Sequence, residues 1–152
     1  MKSLVASLFM LLLLTANAFA QRSAIDSLDG IGIGTTLEDA RSLLVRIGTG
    51  GGRDTRDGGR KEAWTLKETE FATLALKSNG SGKIVWISAF VRQGKEMPFS
   101  KLGDLAKATS VTRTQVIWNV GDQRGGYRVV AKGQDGKASV VYLLSLEFPE
   151  IN

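Results

Sequence analysis

Two groups of residues in this chain carry the raw material of chemistry: the glycines of GIGIGTTLEDARSLL (residues 30–44) and the carboxylates Glu62, Glu68, Glu70 and Glu147. A dinucleotide fingerprint needs G-x-G-x-x-G after a strand, with an acidic residue ~20 positions on. Here Gly30, Gly32 and Gly34 are spaced by two, SAIDSLD is a poor buried strand, and the glycine-lysine-hydroxyl ending of a P-loop is missing. Glycan cleavage would need two carboxyl groups held ~5–9.5 Å apart across a cleft. The four glutamates each fall where a solvated strand end or turn is expected. Calcium would find only Asp54 and Asp57 in TGGGRDTRDGGR, with Arg56 between them, too few oxygen ligands for a loop site. Histidine and cysteine are both absent, which removes the Ser-His-Asp triad, the thiol nucleophile and the ordinary zinc site. No catalytic, cofactor-binding or metal-binding residue is assigned, and the sequence reads as a non-enzyme.

The glycines read instead as the entry to a helix. Thr35 with Glu38, or Thr36 with Asp39, places a hydroxyl three residues before a carboxylate, the pattern of a capped N-terminus. Ala40, Leu43, Leu44 and Ile47 then form one apolar stripe, and Gly48 is the expected stop.

Residues 1–20 read as a signal peptide. Lys2 precedes the apolar run LVASLFMLLLL, and Ala18 and Ala20 give the small-x-small pattern of a cleavage site. That predicts a periplasmic or secreted protein with no membrane span after cleavage. The missing cysteine leaves no disulfide framework and no lipid attachment. The formal charge of +5 becomes +4 once Lys2 is removed, with both signs interspersed. This excludes a nucleic-acid patch and allows only a weak preference for anionic surfaces.

From Glu62 the apolar period changes to two. EAWTL, FATLALK and KIVWISAFV read as strands, followed by a helix in KEMPFSKLGDLAKA and a second series in RTQVIWNV, GYRVVAKG and KASVVYLLSLE. TGGGRDTRDGGR between helix and strands reads as a mobile solvated loop, with Arg53, Arg56 and Arg60 as its potential contacts to an acidic partner. A shift of 54 residues superimposes Trp64 on Trp118, Gly82 on Gly136 and Lys83 on Lys137. The expected organisation is one domain over 21–152 with tandem halves at 30–92 and 97–148. The fold class expected is α+β: helices packed on one face of an antiparallel sheet, in two helix-plus-three-strand units.

Gly34, Thr36, Glu38, Asp39, Ala40, Leu43 and Gly48, followed by a Trp-bearing meander, resemble the motif of exported SmpA/OmlA (BamE-like) proteins and the related β-lactamase-inhibitor-protein fold. The helix-to-glycine spacing is about one turn longer than the usual motif, and the proline that commonly follows is absent. No cysteine exists to carry the lipid anchor of the outer-membrane assembly members. The resemblance therefore implies the inhibitor branch, a soluble protein-binding module.

The functional expectation is an exported, non-catalytic interaction domain whose partner is an envelope or extracellular protein. The alternative is a binder of a small ligand or envelope component. In KIVWISAFV one face carries Ile84, Trp86, Ser88 and Phe90, the other Val85, Ile87, Ala89 and Val91; KASVVYLLSLE adds Val140, Tyr142 and Leu144 to the first and Val141 and Leu143 to the second. Compact aliphatic residues suit close approach of a helix, so the second face is assigned to the core. Trp86, Phe90 and Tyr142 are the predicted partner-binding face.

Overall fold

The computed structural model describes residues 23–122 and 125–147. The signal-peptide reading of residues 1–20 lies outside the described residues.

The chain begins with a small hairpin, β1 (Ser27–Leu28) and β2 (Ile31–Gly32), closed by Asp29-Gly30. Both turn residues have positive φ, 47° and 81°, the demand of a type I′ turn, which aspartate tolerates and glycine meets freely. Helix α1 (Leu37–Ile47) follows. Thr36 is its N-cap, its hydroxyl oxygen accepting from the Asp39 amide at 3.1 Å while the hydroxyl donates to Asp39 Oδ2 at 2.6 Å. The opening glycines thus serve the hairpin and the helix entry.

The remainder is dominated by one antiparallel sheet. Its strands are β3 (Gly48–Asp54), β4 (Arg60–Leu66), β5 (Phe71–Ser78), β6 (Ile84–Val91), β7 (Met97–Pro98), β8 (Ser110–Val111), β9 (Gln115–Val120), β10 (Tyr127–Gln134) and β11 (Lys137–Ser145). Eight run in the order β3-β4-β5-β6-β11-β10-β9-β8, and β7 adds to the end of β11. The meanders β4-β5-β6 and β9-β10-β11 lie side by side, joined where β6 pairs with β11. Trp64 and Trp118 each sit on the first strand of their meander with the side chain in the core.

The expected α+β class, with helices packed on one face in two matching units, is not what forms. Strand makes up 53% and helix 14% of the described residues, so the fold is β-rich. Among the described residues, only the first meander has an α-helix over it, burying Ala40 and Leu44. Where the second helix was expected, Phe99–Lys101 and Leu105–Lys107 form single 3-10 turns. Gly103 explains the interruption. A Cβ there would stand 2.7 Å from the Ser23 carbonyl oxygen and 2.8 Å from Trp118 Cε2. The lead segment crosses at this point, Ile25 N–H donating to Leu102 O and Asp104 N–H to Ser23 O. Trp118 is roofed by crossing backbone, and its indole N–H donates to Asp104 O at 2.9 Å.

The segment TGGGRDTRDGGR, expected to be a mobile loop, is instead largely strand. Residues 48–54 pair along their length with 60–66 as the β3–β4 hairpin. The glycines there are required by proximity: a Cβ at Gly50 would lie 2.3 Å from the Ala63 carbonyl oxygen, and one at Gly52 only 1.9 Å from that of Lys61. Between them Gly51 faces open space, with nothing within 4 Å.

These neighbours make a sharp test. Gly52→Ala should destabilise the protein by about 1–3 kcal/mol, since rigid β4 backbone must yield. Gly51→Ala should stay within about 0.5 kcal/mol or gain slightly through lost chain entropy. Urea unfolding of the two variants measures both, and equal effects would remove the packing explanation.

Candidate functional site

Alternation divides the sheet's residues between two environments. Trp64, Leu74, Leu76, Ile87, Ala89, Val129, Ala131, Val141 and Leu143 point to the side covered by α1, the β1–β2 hairpin and residues 97–108, and all are buried. The opposite side has no covering element among the described residues. Phe90 is 51% exposed there, and Trp86 and Tyr142 are partly exposed.

All three predicted face residues lie on this uncovered side, and the β6–β11 register brings them around one position. Tyr142 stands opposite Ser88, while Trp86 and Phe90 flank Ser88 along β6, opposite Leu144 and Val140. Ser88 is only 3% exposed, though it faces away from the core. The Lys132 ammonium sits over the Tyr142 ring, 5.9 Å from its centroid. Two neighbours were misassigned by strict alternation. A bulge at Val85, between the pairs Lys77↔Trp86 and Ser78↔Ile84, turns Ile84 into the core at 0% exposure. The same extra residue puts Val85 beside Trp86.

The register arranges the open side in rows across the strands. One row reads Arg53, Lys61, Lys77, Trp86, Leu144, Arg128 and Asn119. The next reads Gly51, Ala63, Ala75, Ser88, Tyr142, Val130 and Ile117. The small residues of the second row leave a groove of about 710 Å³, bordered by Trp86 and Leu144 on one side and by Arg53, Lys61 and Lys77 on another. Every charged residue that the strand alternation places on this side is basic: Arg53, Lys61, Lys77, Arg128, Lys132 and Lys137. Asp57, in the β3–β4 turn, reaches one of them, its carboxylate 2.7 Å from Lys77 Nζ. Bonds from Lys77 and Thr55 hold the Asp57 carboxyl far below its usual range. Sequence reasoning missed this cationic row, because its parity appears only once residues 48–54 are recognised as a strand.

Behind β4, the core side is tied to the helix by Glu62. Its side chain is 1% exposed and accepts from Arg41 Nε at 2.8 Å, Arg60 Nε at 2.9 Å and the Trp64 indole at 3.1 Å. Arg60 also holds Asp54 and the Gly52 carbonyl oxygen, so it is turned inward rather than offered to a partner. Burial opposes ionisation of Glu62, but the three donors together outweigh it and hold the carboxyl below its ordinary value. The other carboxylates named as catalytic candidates are dispersed. Glu68 and Glu70 occupy the β4–β5 turn, where Glu70 pairs with Lys101, and Glu147 follows β11. Among the described residues, no group of three or more metal-ligating side chains exists, and no helix is long and apolar enough to cross a membrane.

Asp29 behaves oppositely to Glu62. Its Oδ2 is buried without a hydrogen-bond partner, and burial pushes its carboxyl up, offset in part by Thr69 and reinforced by Glu70.

The two carboxylates shift stability with pH in opposite directions. Glu62 contributes stability that is complete above its unfolded pKa of about 4.3 and is lost as pH falls through its lower folded value. Glu62→Gln should cost about 2–3 kcal/mol at pH 7 in urea unfolding. That is less than a fully buried pair, since the Arg41 side chain stays 41% exposed and is screened by water. Ionising Asp29 costs stability as pH rises through its raised folded value. Asp29→Asn, which tolerates the positive φ, should stabilise at pH 7 and lose that gain below about pH 4. A pH-independent effect of either variant contradicts its assignment.

No protein family, curated protein or solved structure matches the chain, so the likeness to the SmpA/OmlA motif rests on residues 34–48 and the meander that follows them.

Proposed function

We propose that the protein is an exported, non-catalytic interaction domain that docks an envelope or extracellular protein on the uncovered side of its sheet. The observation that carries this reading is the cluster of Trp86, Phe90 and Tyr142 around Ser88, with the Phe90 side chain half exposed on rigid, paired strands. Contiguous exposed apolar surface marks interaction sites in soluble proteins, and aromatic side chains dominate the energetics of many interfaces. A sheet presents such anchors at low entropic cost, because the backbone beneath them is already ordered. The carboxylates are pinned in ion pairs or scattered among turns, which favours binding over catalysis. Export rests on the signal-peptide pattern of residues 1–20.

A photo-crosslinking side chain placed at position 90 should capture a discrete protein in the envelope or secreted fraction of the producing cells. The same probe at Val45, 63% exposed on α1, should not. Phe90→Ala should abolish capture from a probe at Val140, its cross-strand partner, while changing unfolding free energy by less than about 1 kcal/mol. Trp118→Ala, in the core, should cost about 3–5 kcal/mol. If Phe90→Ala unfolds the protein, or if positions 45 and 90 capture alike, the docking reading is wrong.

A further inference from the structure

We infer that the groove over Gly51, Ala63 and Ala75 binds a single-chain amphiphilic anion, with its carboxylate or phosphate head on Arg53, Lys61 and Lys77 and its apolar body against Trp86 and Leu144. The ligand proposed is distinct from the docked protein, and its groove adjoins the aromatic cluster, sharing Trp86 with it but not Phe90 or Tyr142.

Arg53 is paired with Lys61, and Lys61 with Lys77, on consecutive antiparallel strands. Like charges directly opposite one another destabilise a sheet. Three in succession, with strands ~4.8 Å apart, concentrate positive potential over a span of ~10 Å. Asp57 neutralises one of the three. Arg53 and Lys61 have no ion-pair partner among the described residues. A bound anion supplies the missing countercharge.

The hollow beside the row supplies the rest. Glycine and two alanines leave its floor low, and Trp86, Leu144 and Val85 make its wall apolar. Its volume of about 710 Å³ lies within the ~300–1,000 Å³ of small-ligand clefts. Cations at one border and an aromatic-aliphatic wall at another fit a molecule with a charged head and an apolar body. A hydrophilic anion would leave the wall unused, and a neutral apolar molecule would leave Arg53 and Lys61 without a countercharge. Residues at the other end of the row, such as Arg128, do not line the groove.

The test is titration of the purified protein with decanoate and decyl phosphate below their micellar concentrations, followed by tryptophan fluorescence and calorimetry. Saturable one-to-one binding is expected, with a fluorescence change that disappears in Trp86→Phe. Decanol should bind at least about tenfold more weakly, the scale of one charge-assisted hydrogen bond. Lys61→Ala should weaken decanoate about tenfold, Ala63→Leu should block the groove, and Arg128→Ala should leave affinity unchanged. Circular dichroism of each variant confirms that it is folded. Absence of saturable binding, equal binding of decanol, or full affinity in Lys61→Ala or Ala63→Leu overturns the inference. So does binding to phosphatidylglycerol vesicles without binding to the monomeric amphiphiles. Crosslinking from position 90 is read independently, because Phe90 does not line the groove.

Discussion

The pairing of β6 with β11 is the contact on which the architecture depends. Five residue pairs, from Phe90↔Val140 to Trp86↔Leu144, join two meanders that would otherwise be separate small sheets. Separated there, each half would be a four-stranded sheet with an additional unpaired edge and only part of the apolar face. Joined, the strands share one core that runs from Trp64 under the helix to Trp118 under the crossing backbone. The same register decides what lies outside. Ile87, Ala89, Val141 and Leu143 are turned inward together, so Trp86, Phe90, Tyr142 and Leu144 must be turned outward together. A one-residue slip between β6 and β11 would exchange these sets on one strand and break the core.

The coverage of the sheet is one-sided, and this explains both its stability and its available surface. An eleven-residue helix, a two-strand hairpin and two 3-10 turns cover one face. Glu62 fastens the helix at the outer end of the sheet through Arg41, and the buried carboxylate is acceptable there because three donors meet it. At the other end Gly103 permits backbone to cross Trp118 closely. None of these devices extends to the opposite face. Its basic residues and its aromatic cluster stand on strands held rigid from beneath, a condition that favours binding without large rearrangement.

The sequence made some of this legible for identifiable reasons. Strict alternation separated Ile87, Ala89 and Val91 from Trp86 and Phe90, because period-two patterning directly reports the faces of a strand. The Thr36–Asp39 cap and the Ala40–Leu44 stripe were readable because they depend on local spacing. Three features were hidden by non-local causes. The glycines of β3 have the composition of a flexible loop, yet they are needed where β4 backbone approaches too closely for a Cβ. The helix expected in KEMPFSKLGDLAKA (residues 95–108) was lost to a crossing by a segment some eighty residues earlier in the chain, invisible to a local pattern. The bulge at Val85 shifted the parity of Ile84 without any proline or glycine inside the strand to announce it. The cationic row followed from the first of these: without β3, Arg53, Lys61 and Lys77 had no common face.

One face of this sheet is core and the other is open to solvent. Hydroxyl-radical footprinting of the purified protein, read residue by residue by mass spectrometry, tests it directly. The structure predicts rapid oxidation of Phe90 and measurable oxidation of Trp86 and Tyr142, with Trp64 and Trp118 protected at 6% and 0% exposure. Protection of Phe90, Trp86 and Tyr142 equal to that of Trp118 would mean that the face is covered, and would contradict the account.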